Sequence, residues 1–156
     1  MKTLLILVGK TNGKLFAAGI DDYVGRINHY MPMGIVAIPE LKSTKSLTQE
    51  QQKEAEGRLI LNQLQPSDTV VLLDEHGKEP RSVEFARWLE NKRQTSRRLV
   101  FIIGGPYGFS PQVYMRANEQ LSLSRMTFSH QMVRLIFAEQ LYRACTIIQG
   151  EPYHHE

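Results

Sequence analysis

Three continuous apolar runs constrain this chain more than any other feature: LLILV at 4–8, TVVLL at 69–73 and LVFII at 99–103. Each is short, and none alternates with polar residues. A strand has this composition when both of its faces are covered, as inside a parallel sheet flanked by helices. The segments between the runs carry helical patterning. Residues 14–30 set Phe16, Ile20, Tyr23, Val24 and Ile27 on one stripe. Residues 48–64 open on Thr48, a favoured N-cap type. Further helices are expected at 82–92, from about Ser110, and at 129–148. Shorter strands at 34–38 and 121–124 complete the alternation, while 41–48 and DEHGKEP at 74–80 are expected to be loops. The pattern predicts an α/β fold with a mostly parallel sheet and helices on both faces. No repeat, low-complexity tract or linker interrupts it, so residues 1–156 are expected to form a single domain.

The first run follows Lys2 and has the look of a secretory signal. However, it is short, and Gly9-Lys10 follows in place of a small-residue cleavage site. It is expected to be a buried strand. No stretch approaches the ~18 apolar residues of a membrane span. Cys145 is the sole cysteine, so no intrachain disulfide can form, which suits a reducing compartment. A cytoplasmic location is expected. The formal net charge of +3 permits an anionic partner without requiring one.

Open α/β sheets bind ligands beyond the carboxyl ends of their strands. Three such ends have unusual sequences: LDEHGK at 73–78, GGPYG at 104–108 and SRMTFSH at 124–130. Together they predict one composite pocket. Gly9-Lys10-Thr11 has the flavour of a P-loop, but Leu4 stands where the motif needs its first glycine. The glycines at 104, 105 and 108 resemble a dinucleotide signature with altered spacing and a late position. A tight turn needing positive φ and a close backbone approach to a ligand both fit them.

Several polar features have two readings. His130 and Arg134 are four apart, on one helix face, either in an ordinary solvated first turn or aimed at a ligand. Glu139 and Arg143 have the spacing of a simple helix salt bridge. Lys92-Arg93 and Arg97-Arg98 suit a solvated helix end or contact with phosphates. The tail Tyr153-His154-His155 has histidines, but no second ligand cluster with metal spacing accompanies it, so no metal is expected.

The last helix carries Met132, Val133, Leu135, Ile136, Phe137 and Ala138, apolar around most of its circumference. A sheet covers one face of such a helix. A second copy of the chain is expected on the other, in a two-fold homodimer.

LVFIIGGPYGFS, SLSRMTFSHQMVR, AEQLYRACTIIQG, the terminal PYH and the Leu73-Asp74…Gly77-Lys78 motif resemble the ribosomal RNA large subunit methyltransferase H family, a member of the SPOUT class. The resemblance covers nearly the whole chain. It implies a C-terminal trefoil knot, a homodimer, and S-adenosylmethionine as methyl donor. It implies methyl transfer to N3 of a pseudouridine in 23S rRNA on the assembled ribosome. Carried over by position, the donor contacts are Leu73, Gly104, Leu123, Ser124, Arg125, Met126, Thr127 and Phe128. His130 is a candidate proton acceptor, Arg134 and Arg143 are candidates for stabilising the imide anion, and Tyr153 and His154 are candidates for closing over the base. A departure lies at the terminus, where His155 and Glu156 stand in place of the expected basic residue. A tRNA-modifying knotted methyltransferase and a non-catalytic ribosome-binding homologue are the alternative readings.

Overall fold

The computed structural model describes residues 1–42 and 44–155. Its centre is a five-stranded, all-parallel sheet in the order β2-β1-β4-β3-β5. The strands are β1 (Lys2–Val8), β2 (Met33–Ile38), β3 (Thr69–Lys78), β4 (Arg98–Ile103) and β5 (Glu119–Leu121). Helices α1 (Lys14–Ile27), α2 (Gln49–Leu61), α3 (Ser82–Thr95), α4 (Pro111–Arg116) and α5 (Met132–Ile148) connect and cover them.

The apolar runs are continuous because both sheet faces are buried. In β4, Leu99, Phe101 and Ile103 face a core shared with α1, α3 and α5, while Val100 and Ile102 face α2 and α4. The first run is β1, paired on both sides, with Leu5 and Ile6 fully buried. Cys145 is a free, buried thiol of the first core, and burial pushes its pKa up to about 11. No helix among the described residues is long and apolar enough to cross a membrane.

Thr48 caps α2 as its type predicts. Its hydroxyl accepts the Gln51 N–H at 3.1 Å, and the Gln51 side chain accepts the Thr48 N–H at 2.9 Å. Replacing Thr48 with Ala is expected to cost about 1 kcal/mol and lower the melting temperature by about 3 °C in a thermal scan.

Several boundaries differ from those expected: α2 ends at Leu61, short of 64, and α3 runs on to Thr95, past 92. The first helix stops at Ile27, because the Asn28 amide donates to Val24 and Met33 carbonyls and accepts the Met33 N–H, turning the chain into β2. Strand β3 continues past Leu73. The ladder to β5 breaks there and resumes at Lys78, so residues 74–77 bulge out of register. The edge strand β5 is Glu119–Leu121, earlier than expected, and its polar Glu119 accepts from Trp88 Nε1 and pairs with Lys92. Helix α5 begins at Met132. The Ser129 hydroxyl accepts the Met132 N–H and its carbonyl accepts the Val133 N–H, which leaves His130 in a preceding turn.

Part of the covering of α5 comes from its neighbouring helices. Helices α1 and α3 flank it on the sheet, and Met132 is its one exposed residue in the isolated chain. Of the six apolar residues named for this helix, Phe137 and Ala138 are buried within the chain, Met132 is exposed, and Val133, Leu135 and Ile136 are only partly covered.

Candidate functional site

Because every strand runs the same way, the carboxyl ends of β3, β4 and β5 open on one side. A cleft of about 800 Å³ lies there, within the usual size range of small-molecule sites. All three strand-end segments singled out in the sequence contribute walls. Leu73, Asp74, Glu75 and His76 come from the β3 bulge, and residues 104–109 come from the loop after β4. Residues 121–124 and 126–130 form the segment leading into α5, and Tyr114 reaches in from α4. The loop after β4 turns tightly, with the Gly108 N–H on the Gly105 carbonyl and Gly108 at φ +82°.

Seven of the eight positions expected to contact the methyl donor wall this cleft: Leu73, Gly104, Leu123, Ser124, Met126, Thr127 and Phe128. Arg125 does not. Its side chain is 92% exposed, with Nε 3.7 Å from a Glu79 oxygen. Gly104 sits so close to Phe109 that a Cβ there would lie 2.9 Å from the ring. His130 is exposed at the rim.

The cleft's charge departs from that of the chain. The chain has 19 lysines and arginines, yet none among the described residues lines the cleft, while Asp74 and Glu75 do. The Asp74 side chain is only 7% exposed. It accepts from the Tyr114 hydroxyl, and at 2.8 Å from the His76 N–H, with the His76 ring nitrogen at 3.0 Å. Burial raises its pKa, but these hydrogen bonds outweigh burial and hold it below the usual aspartate value. Burial and Asp74 together push the Tyr114 phenol up.

Arg134 does not share a face with His130. It is 1% exposed and turned toward the end of β1, donating to the carbonyls of Val8 at 2.8 Å and Gly9 at 3.0 Å, and to the Thr11 hydroxyl at 3.1 Å. Gln131 reinforces the link by accepting the Asn12 N–H at 2.7 Å. The Gly9-Lys10-Thr11 turn is thus clamped to the start of α5.

Arg143, Tyr153 and His154 gather elsewhere. The Arg143 guanidinium lies 4.9 Å from the Tyr153 ring centroid, pairs with Glu139 and contacts His154 Nδ1 at 3.1 Å. Tyr153 donates to Glu139 at 3.0 Å, and its ring meets Tyr142 edge-on at 4.8 Å. Burial, with hydrogen bonding to Tyr23 and Glu139, raises the Tyr153 pKa. Val133 lines the cleft, and Arg143 stands ten residues further along α5, about 15 Å of helical rise. The basic pairs near 92–98 are partly consumed, since Lys92 pairs with Glu119 and Arg98 with Asp68.

A family profile described as "Predicted SPOUT methyltransferase" matches residues 1–154. The chain belongs to the SPOUT methyltransferase family. Similar relatives share one name, "Ribosomal RNA large subunit methyltransferase H". That of Bacteroides fragilis is 63% identical and that of Phocaeicola vulgatus 62%, each over the whole of both chains. That of Christiangramia forsetii is 53% identical over 99% of both. SPOUT membership implies the C-terminal knot, a rare exception to the usual rules of chain connection that strand periodicity does not reveal. Among the residues that wall the cleft, the Asp74–Tyr114 pair was not apparent from the sequence. Asp74 stood inside a flagged segment, but nothing in the spacing of Tyr114 marked a side chain aimed at the cleft.

Proposed function

We propose that the chain transfers a methyl group from S-adenosylmethionine to N3 of a pseudouridine in 23S rRNA on the assembled ribosome, acting as a cytoplasmic homodimer. The observation that carries this reading is the cleft. It has apolar walls from Leu73, Leu123, Met126 and Phe128, backbone polar groups from the loops, and carboxylates with no lysine or arginine. Such walls suit an adenine and a sulfonium cation. They suit a dinucleotide's phosphates poorly. The shared name of the relatives supports large-subunit ribosomal RNA as the substrate.

When bound, the donor supplies an electrophilic methyl group. The protein must then align the base nitrogen with that methyl and remove the N3 proton. In this reading His130, exposed at the rim, accepts the proton. A cation beside the base stabilises the imide anion, and Arg143 is the arginine with a guanidinium near the tail aromatics. Tyr153 offers a ring for stacking on a base, and His154 a polar contact. Arg134 acts at one remove, by fixing the turn at 9–12 and the start of α5.

The roughly 15 Å of helical rise from Val133 at the cleft to Arg143 supports the homodimer. In the proposed dimer, two α5 helices pack antiparallel about a two-fold axis, so that the Arg143 end of each lies beside the cleft of the other.

Calorimetry with S-adenosylmethionine, together with nucleoside mass mapping of rRNA and tRNA from a deletion strain, tests the proposal. Donor binding and loss of one methylated pseudouridine from 23S rRNA are expected. Loss confined to tRNA would favour a tRNA enzyme, and absence of donor binding would favour a non-catalytic ribosome-binding protein. Ribosomes are expected to be far better substrates than a naked hairpin transcript, because a net charge of +3 is small for electrostatic capture of free RNA.

A further inference from the structure

We propose that Asp74 is a specificity-determining residue that favours the positively charged methyl donor over its neutral demethylated product. This rests on the reading of the cleft as the donor site. The carboxylate follows directly on Leu73, is almost wholly buried, and is fixed from two sides by Tyr114 and His76. It is therefore a preorganised negative charge, not a mobile surface group. Glu75 adds a second carboxylate to the same wall. No lysine or arginine among the described residues faces them across the cleft; the other titratable side chains there are His76, His130, Tyr107 and Tyr114.

S-adenosylmethionine carries a sulfonium. Methyl transfer forms the new nitrogen–carbon bond as the carbon–sulfur bond breaks, and the bonding pair returns to sulfur, leaving a neutral thioether. A fixed carboxylate in a partly desolvated cleft attracts the first and not the second. The carboxylate thus tightens binding of the donor, and its attraction for the sulfur lapses once the methyl has gone, which favours product exchange. A purely structural role for Asp74, as a clamp on the bulge at 74–77, would act on both compounds alike.

The test is calorimetric titration of the full chain with S-adenosylmethionine and with S-adenosylhomocysteine. The quantity read is the ratio of the two dissociation constants. Asp74→Asn keeps the shape and is expected to move that ratio roughly tenfold toward the neutral product. Tyr114→Phe removes a hydrogen bond but leaves the charge, and is expected to keep the preference for the cation. Glu75→Gln alters a side chain that is 66% exposed, cannot threaten the fold, and is expected to move the ratio about twofold in the same direction. Equal weakening of both compounds by Asp74→Asn, or an unchanged ratio in Glu75→Gln should Asp74→Asn fail to fold, would overturn the inference alone. Wild-type protein binding neither compound would instead overturn the donor reading, and the inference with it.

Discussion

Mixing two inactive variants of this chain is expected to restore methylation. The first variant is Gly104→Val. A Cβ at position 104 would lie 2.9 Å from the Phe109 ring, which is itself 95% buried, so the valine must either displace the ring or intrude on the cleft. Donor binding is lost either way. The second is Arg143→Ala, which removes the guanidinium that holds Tyr153, His154 and Glu139 together. Each variant alone is expected to lose at least about a hundredfold in rate, the scale of removing one group that stabilises developing charge. Random pairing of equal amounts makes half of the dimers mixed. In each mixed dimer, one site joins an intact cleft from one copy to an intact Arg143 cluster from the other. Activity should therefore recover to about one quarter of wild type. If a single copy built each site, no site in the mixture would be whole, because every chain carries one defect. Methylation assays on co-expressed, differently tagged chains separate the two outcomes. Absence of recovery in verified mixed dimers would sink the composite site.

Much of this architecture was legible in the residues. LLILV, TVVLL and LVFII announced strands covered on both faces, because in β4 alternate residues enter two different cores. Thr48 announced its cap because capping is local chemistry, settled within three residues. The cleft was legible as three strand ends, since parallel strands place their carboxyl ends together. What stayed hidden depends on direction and distance. Tyr114 meets Asp74 across 40 residues of chain, and no periodicity records that. The bulge at 74–77 arises from a register shift against β5, a property of the pair and not of either strand. The circumference of α5 read as a surface for a second copy; α1 and α3 take part of it, because a sheet face carries a layer of helices side by side, while Val133, Leu135 and Ile136 stay only partly covered. Arg134 was the most deceptive residue. At four residues from His130 it looked like its neighbour on a helix face, but the helix starts two residues after His130, and the acceptors for Arg134 lie at the far end of the sequence.

That burial makes Arg134→Met the substitution expected to cost most in stability. Methionine approximates the length of the arginine stem but donates no hydrogen bond. The carbonyls of Val8 and Gly9 would lose their donor in a site 1% exposed to water, and a buried acceptor left unpaired costs about 1–3 kcal/mol. With the Thr11 hydroxyl also released, a total of about 3 kcal/mol is expected, and with it a fall of roughly 6–12 °C in melting temperature for a chain of this size. Burial depresses the Arg134 pKa and the charge of Glu40 partly opposes it; an arginine so placed remains charged. Lysine in its place keeps the charge but not the planar fork that spans two carbonyls, so it should recover only part of the loss. Function should follow position. Among the hydrogen bonds that tie the turn at 9–12 to the start of α5, only those of Gln131 would remain, loosening the residue beside His130 while leaving Leu73, Gly104 and the segment 123–128 in place. Donor affinity measured by calorimetry should then change by less than about twofold, while kcat falls at temperatures where the variant is folded. Unchanged melting with abolished methylation would mean that the guanidinium leaves its carbonyls to meet the substrate, and that the clamp on β1 is a resting state of the enzyme.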